Sequence, residues 1–374
     1  MALFVGTSLT GRTVDTTDGP LKLQRRLISG SSGTVYIAEY TKTHRQVAVK
    51  VIPRSIQSAD CSAEEFRKQQ DVQDHENIAH TIALYPNARL GHHGIHTSFT
   101  GDLLVFDLYR GGDLFTAIAS YHYGAQEDKI RDTFLQVLSA VEYCHDHGIF
   151  HRDIKPENIL CSEDGRHVFL TDFGLATTED MVHCRCGSPM YMSWECSTHH
   201  VGDPATFSAK ASDVWSLGMI LLALVTGHCA WTSIQHPDYD RYRTNPDLFW
   251  KERFPISRDL RVLLNDVFVE KTEERITLKQ FRKRVADMPT FYLTKKELAN
   301  APPTVRAVWV AYVERGRTQL EEGTVSKPLG SNEIHHHNHH HHMPFSAKNL
   351  LHHARKVLPF IRAHRVEHVQ SSLG

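Results

Sequence analysis

The sequence predicts an α+β fold in which strands fill the first third of the chain and helices most of the rest. Two sets of patterns carry that expectation. Residues 46–51 alternate as a half-buried strand does, and residues 103–108 form a short apolar run that leads into turn residues. Further on, Phe134, Val137, Leu138, Val141 and Cys144 recur at helical spacing, and an apolar helix opens at Asp213 and runs through Leu224.

With 374 residues the chain has room for about two compact units and a tail. Its 42 Lys and Arg are matched by 43 Asp and Glu, and a net charge of -1 argues against bulk electrostatic capture of nucleic acid or membrane. Partners are therefore to be sought at local sites. The seven cysteines are odd in number, lie mostly in apolar segments and follow no secretory signal pattern. No apolar run reaches the roughly 18 residues of a membrane span. These features predict a cytoplasmic or nuclear setting with reduced thiols.

Residues 1–20 are rich in Thr and Gly without a sustained period and are expected to form a loose leader. From Leu21 the pattern becomes that of a strand, and Leu27-Ile28-Ser29-Gly30-Ser31-Ser32-Gly33-Thr34-Val35 follows. Gly30 and Gly33 let backbone N–H groups approach phosphate oxygens that a Cβ would obstruct, although Gly-x-x-Gly alone also suits a plain hairpin. Ser62-Ala63-Glu64-Glu65 has the N-cap and acidic first turn of a helix, which His75-Glu76-Asn77-Ile78 closes. Residues 86–101, with His92, His93 and His96, read as a solvated loop because no Cys or carboxylate set completes a metal shell. Gly111-Gly112-Asp113-Leu114 begins the next helix, where Asp113 suits the dipole.

The densest chemistry lies at His151-Arg152-Asp153-Ile154-Lys155-Pro156-Glu157-Asn158, followed by Asp172-Phe173-Gly174. A loop as short as Asp153 to Asn158 can aim both side chains into one cleft. Residues 159–170, with Glu163-Asp164-Gly165 in the middle, read as a hairpin that returns Asp172 beside Asn158. One carboxylate to accept a hydroxyl proton, with an Asn and a second carboxylate for a divalent metal, is the set that phosphoryl transfer needs.

On these motifs residues 21–289 resemble the eukaryotic protein kinase family. The resemblance implies a bilobal protein kinase fold: a small antiparallel β N-lobe with one helix (21–107), a mostly α-helical C-lobe (113–289), and ATP between them. It implies that Gly30, Gly33 and Val35 cover the nucleotide, with Ile28 in the place of the family's first Gly. Val47-Ala48-Val49-Lys50 resembles the strand whose Lys grips the α and β phosphates, held by Glu65 with Glu64 in reserve. Phe106 limits the pocket behind adenine, Asp107 and Leu108 present backbone groups to the base, and Ala48 and Leu160 join the nucleotide-binding positions. Asp113 reaches the ribose or a basic substrate side chain. Asp153, Lys155 and Asn158 are the implied catalytic residues, and Asn158 and Asp172 the ligands of Mg2+, with Mn2+ as an alternative.

Lys155 and Ser188 resemble the Ser/Thr-specific branch, which implies protein substrates with Ser or Thr acceptors. Glu157 and Asp113 imply a preference for Arg about three residues before the acceptor. The run from Cys186 to Glu195 resembles the end of an activation segment, with Ser193 and Trp194 replacing the family's Ala and Pro. Glu195 is expected to pair with Arg275, and Asp213 to hold backbone N–H groups of the catalytic loop. Cys184 stands where many relatives carry an activating phosphothreonine, so activity is expected without phosphorylation there, and Arg152 is expected to turn to Glu179 or Asp180. The wording around Thr171–Thr178 and Cys186-Gly187-Ser188 looks most like fungal kinases that regulate meiosis and nutrient response, near the calmodulin-dependent group.

Residues 290–330 read as a helical extension, with Pro302, Pro303 and Thr304 preceding Val305, Val308, Trp309 and Tyr312 at helical spacing. Residues 331–374 are a low-complexity tail that is rich in His and then basic, for which a regulatory protein is one alternative partner. A monomer without nucleic-acid partners or a membrane span is expected.

Overall fold

Six strands build the amino-terminal half of the chain in a computed structural model that describes residues 8–30, 33–53, 59–92, 95–199 and 205–322. They are β1 (Thr13–Thr16), β2 (Gly19–Gly30), β3 (Gly33–Tyr40), β4 (Arg45–Pro53), β5 (Thr81–His92) and β6 (Ile95–Asp107), in the order β1-β2-β3-β4-β6-β5. All neighbours are antiparallel. Helix α1 (Ala59–Gln70) connects β4 to β5. Alternation puts Leu21, Leu23, Val47, Val49, Leu103 and Val105 on one face, where all are fully buried.

Residues 1–7 of the expected loose leader lie outside the described residues; from Leu9 on the leader is instead part of this sheet. Val14 pairs with Leu21, both Leu9 and Val14 enter the sheet core, and the Tyr85 hydroxyl bonds Asp18 and the Tyr40 hydroxyl. Val14 is the only apolar residue of β1, so the strand shows no period of its own; β2 supplies the pattern that recruits it. The segment 86–101 likewise is no loop. β5 and β6 continue pairing through Ala88 with Gly101 and Arg89 with Thr100, and Pro86-Asn87 sits in a bulge where Asn87 has φ 56°. Turn residues here bend a hairpin and do not end it. His93 of the three histidines lies outside the described residues. Helix α1 also starts earlier than its N-cap signal suggested, so Ser62 lies inside the helix and is buried.

The second half begins with α2 (Leu114–Ala119) and α3 (Glu127–Asp146), whose apolar stripe is buried as its spacing predicts. The hairpin of β7 (Ile159–Cys161) and β8 (Val168–Leu170) follows, then β9 (Met181–Val182), α4 (Trp194–Thr198) and β10 (Phe207–Ser208). Helix α5 (Ala209–Thr226) is the centre of this half. It is long and apolar enough to cross a membrane, yet 89% of it is buried inside the fold, as befits a helix apolar on all sides. Around it pack α6 (Pro237–Thr244), α7 (Pro246–Arg253), α8 (Arg258–Val267) and α9 (Leu278–Ala286). Trp215 of α5 meets Phe268 edge-on at 5.0 Å, and Trp231 does the same.

The carboxyl-terminal extension is α10 (Lys295–Ala299), α11 (Pro303–Val308), a π-helical turn (Trp309–Glu314) and α12 (Arg315–Glu321). It docks through Tyr312, which is buried and donates to the Leu224 carbonyl. The approach is too close for side chains: a Cβ on Gly316 would lie 2.5 Å from the Gly124 Cα, and one on Gly227 would enter the Tyr312 ring. The His tract and the basic stretch beyond it lie outside the described residues.

One ion pair ties α4 to this helical half. Arg275 donates to both Glu195 oxygens at 2.7 and 2.8 Å, and also to the Val269 and Ala211 carbonyls. The pair is almost wholly buried, so loss of one member strands the other's charge. Arg275→Met is expected to cost about 3 kcal/mol or more, read as a lowered melting temperature, and a second change of Glu195→Leu to recover part of the loss.

Candidate active site

The catalytic-loop motif is held from beneath by one carboxylate. Asp213, at the first turns of α5 and fully buried, accepts from the His151 N–H at 2.9 Å and the Arg152 N–H at 2.8 Å, and pairs with His145 at 2.8 Å. These bonds fix Arg152 in the left-handed region at φ 63°. The His151 ring packs edge-on against Phe173, with centroids 4.9 Å apart. The sequence expectation that Arg152 turns to Glu179 or Asp180 is not met: its Nε donates to the Leu175 carbonyl at 2.7 Å. Asp180 is taken instead by the start of α5, accepting from Ser208 Oγ and the Lys210 N–H.

Asp153 sits at the centre of a closed set of donors. Its Oδ1 accepts from the Ser188 N–H and hydroxyl, both at 2.9 Å, and its Oδ2 from Lys155 Nζ at 2.6 Å and Asn158 Nδ2 at 3.2 Å. Lys155 also reaches Ser188 Oγ at 2.9 Å. Gly187 makes this closure possible, because at φ 103° a Cβ there would lie 2.6 Å from the Arg152 carbonyl oxygen.

Lys50, nearly buried on β4, donates to Glu65 Oε1 at 2.6 Å and to Asp172 Oδ1 at 2.8 Å. The choice between the two helix acids is thereby made: Glu64 is exposed and pairs with Arg67. Burial works against the Lys50 charge, but the Asp172 and Glu65 carboxylates outweigh it and hold the ammonium above the ordinary lysine range. For Asp172 the lysine outweighs burial and its carboxyl lies below the usual range; for Glu65 burial prevails and raises it.

Oxygen chemistry at this place fits a hard divalent cation. Asn158 spends its amide N–H groups on the Asp153 carbonyl and carboxylate, and among the described residues no donor meets its Oδ1 or the Asp172 Oδ2. Asn158 and Asp172 are thus the pair that would hold such an ion.

The remaining positions line the space between the halves. Val35, Ala48 and Leu160 are half-buried, from β3, β4 and β7. Phe106 is buried against Ile52 and Leu104. The Asp107 carboxylate is engaged by Arg45 at 2.9 Å and its N–H donates to the His80 carbonyl, with Leu108 next. Gly33 needs to be glycine, since a Cβ would lie 2.7 Å from the Val51 carbonyl oxygen, whereas Gly30 has room and Ile28 is 56% exposed. Asp113 caps α2 by accepting from the Thr116 N–H at 2.7 Å. Cys184 is exposed, and among the described residues no group of three or more His, Cys, Asp or Glu is placed to hold a metal ion.

Sequence reasoning missed three contributors. Lys68 of α1 donates to the Ala176 carbonyl at 2.9 Å, tying the helix to the segment after Asp172. Gln69, one helical turn beyond Glu65, is fully buried with Nε2 on the Ala79 carbonyl and Oε1 without a protein partner. Tyr109, just past the 103–108 run, packs its ring on Phe169 and accepts from the His80 N–H. Only the helical spacing of Ser62, Glu65 and Gln69 was available as a signal, and it reads as a solvated face.

Comparison with known proteins agrees with this geometry. A family profile described as Protein kinase domain matches residues 21–285. The chain is 33% identical over 310 residues to the "Negative regulator of sexual conjugation and meiosis" of Schizosaccharomyces pombe, covering 77% of this chain and 63% of that protein. It is 27% identical over 343 residues to the "Serine/threonine-protein kinase VHS1" of Saccharomyces cerevisiae, covering 76% and 73%. With the "CBL-interacting serine/threonine-protein kinase 17" of Arabidopsis thaliana it shares 35% over 217 residues, 56% of this chain and 46% of that one. The chain thus spans less than two thirds of the first of these relatives and under half of the plant protein. Since the matched span holds both lobes and every residue of the site, the chain belongs to the protein kinase domain family, whose members use ATP and a divalent metal.

Proposed function

We propose that the chain is a serine/threonine protein kinase that transfers the γ-phosphoryl of Mg-ATP to protein hydroxyls. The observation that carries this reading is the closure of Lys155, Ser188 and Asn158 on Asp153 beside the Lys50–Glu65–Asp172 set. Asp153 orients the acceptor hydroxyl and takes its proton as the oxygen attacks. Lys155 offsets charge on the moving phosphoryl, and Lys50 steadies the nucleotide phosphates. Mg2+ held by Asn158 and Asp172 would neutralise charge on the phosphate oxygens. Little of this needs rearrangement, so positioning supplies much of the rate.

A Ser or Thr acceptor is supported by Ser188, whose hydroxyl and N–H bond Asp153 Oδ1 while Lys155 Nζ reaches the same hydroxyl. A basic preference is supported by Glu157, which has no ion-pair partner among the described residues. Partial desolvation raises its carboxyl above the ordinary carboxylate range, with the charges of Asp113 and Asp153 adding to the effect. A free acid beside another acid is a fit for an Arg side chain of the substrate. No disulfide joins the cysteines among the described residues, which suits a reducing cytoplasm or nucleus and a role in signalling there. A reading in which the activation segment needs no phosphate at position 184 is supported by the Arg152 Nε on the Leu175 carbonyl and by Asp180, which anchors the segment to α5.

Asp153→Asn is expected to lower transfer of radiolabelled phosphate to a Ser peptide about a thousandfold while Mg-ATP still raises the melting temperature. Peptides with Arg three residues before the acceptor are expected to beat their Ala counterparts. Glu157→Gln should raise KM for the Arg peptide about tenfold and leave the Ala peptide alone. Because the Glu157 carboxyl titrates above the usual range, that advantage fades as pH falls through its raised pKa, measurable as a pH profile of the two KM values. Phosphatase treatment is expected not to lower the activity.

A further inference from the structure

The connection from α2 to α3 holds two residues with full side chains in the left-handed region, Tyr121 at φ 63° and Ala125 at φ 61°. Such backbone is unfavourable for a residue with a Cβ, and for a bulky one above all, and it persists only where the surroundings over-determine it. The bonds inside the connection are short-range: Tyr121 N–H donates to the Ile118 carbonyl, Gly124 N–H to that of Tyr121 and Gln126 N–H to that of Tyr123, at 3.0 to 3.1 Å. Further contacts come from the carboxyl-terminal extension. The Arg315 guanidinium lies 4.7 Å over the Tyr121 ring, and the Tyr312 ring stands 5.9 Å from it. Gly124 is met backbone to backbone, so that a Cβ there would lie 2.6 Å from the Tyr312 carbonyl oxygen. Ala125 is reached through Tyr292, whose hydroxyl bonds the Ala125 backbone and the Val225 carbonyl and whose ring meets Trp309 edge-on at 5.3 Å. Both left-handed residues thus rest on the extension.

The same connection ends α2, whose other end carries Asp113. There the Gly111 N–H donates to the Cys161 carbonyl at 3.1 Å and the Cys161 N–H to the Gly112 carbonyl at 2.8 Å, which anchors the start of the helix to β7. A short helix held at one end can still tilt, and the connection supplies the second anchor. Asp113 follows the helix axis because its carboxylate accepts from the Thr116 N–H one turn on, and its charge reaches Glu157. We propose that the extension is a positioning element for substrate recognition: by holding Tyr121 and Ala125 left-handed, it aims α2 so that Asp113 stands beside Glu157 as one acidic pair for an Arg side chain of the substrate. The proposal rests on the kinase reading and on its basic preference. Arg315 and Gly316 are positioning residues that act through the connection. When their contacts loosen, the connection relaxes, α2 tilts and the acidic pair opens. Asp153, Lys155 and Asn158 keep their places, because Asp213 holds their loop from the other side.

The test compares full-length wild-type, Gly316→Ala and Arg315→Ala proteins at saturating Mg-ATP, with Ser peptides that differ only in Arg or Ala three residues before the acceptor. Ala is the better helix former, so a loss at position 316 reports the wedge against Gly124 and not a weaker α12. Both variants are expected to raise KM for the Arg peptide about fivefold with kcat unchanged, the mark of lost binding alone, and to leave KM for the Ala peptide as in wild type. Hydrogen exchange is expected to quicken in residues 117–126 and to stay the same in 151–158, whereas a merely structural role would quicken both segments and lower kcat for both peptides. An Arg advantage that both variants keep, or an equal loss on the two peptides, overturns this proposal and leaves the kinase reading standing; Arg315→Ala decides where Gly316→Ala does not fold. A wild type without an Arg advantage overturns the basic preference and this proposal together, and one that phosphorylates neither peptide overturns the kinase reading as well.

Discussion

Everything chemical in this molecule hangs on the buried Asp213 carboxylate. It receives two consecutive backbone N–H groups of the catalytic loop and one imidazole, all within 2.9 Å. A buried anion is tolerated only when its oxygens are fully engaged, so the loop and the helix enforce one another. From there the order spreads outward. Arg152 is held in a left-handed conformation, Asp153 is presented to Ser188, Lys155 and Asn158, and the His151 ring steadies Phe173 beneath Asp172. The helical half thereby aims Asp153, Asn158 and Asp172, and the other lobe supplies Lys50 and Glu65.

Much of this was legible beforehand because its signals are local. The apolar stripe of α3, the hairpin of β7 and β8 and the motif around Asp153 each declare themselves within a few consecutive residues. What stayed hidden was set by distant partners. β1 has a single apolar residue and exists because β2 lies beside it, and Asn87, within the stretch that reads as a solvated loop, serves as a bulge between paired strands. Asp180 looked like a partner for Arg152, but its side chain and carbonyl are claimed by the first turn of α5, which lies about thirty residues on. Charge complementarity proposes pairs, whereas the unpaired N–H groups of a helix end decide between them.

Helix α1 shows how such competition sets energies. Its inward face carries Ser62, Glu65 and Gln69, all buried, each with one oxygen that no protein donor meets. Leaving such an atom unpaired costs about 1–3 kcal/mol, a cost that works against the packing of Phe66 on Ile52, Leu104 and Phe106. Contacts at the two ends of the face offset the cost: Lys50 on Glu65, and Lys68 on the Ala176 carbonyl. Both lead to the segment that carries Asp172. The helix is therefore held in place by the same groups that form the phosphate site, and the raised carboxyl of Glu65 records how much burial that arrangement imposes.

The interlocked backbones of Gly124 and Gly316, with Gly227 under the Tyr312 ring, have a consequence for what counts as this protein's domain. Shared ancestry, as the family profile measures it, stops at residue 285, but the hydrophobic seam between the lobe and the last helices does not. A chain severed at the ancestral boundary would bare the Leu224 carbonyl and the surfaces of Gly124 and Gly227, both shaped to the missing partner. The unit that inheritance defines is shorter than the unit that thermodynamics defines, and the difference is about the length of the extension through Glu321.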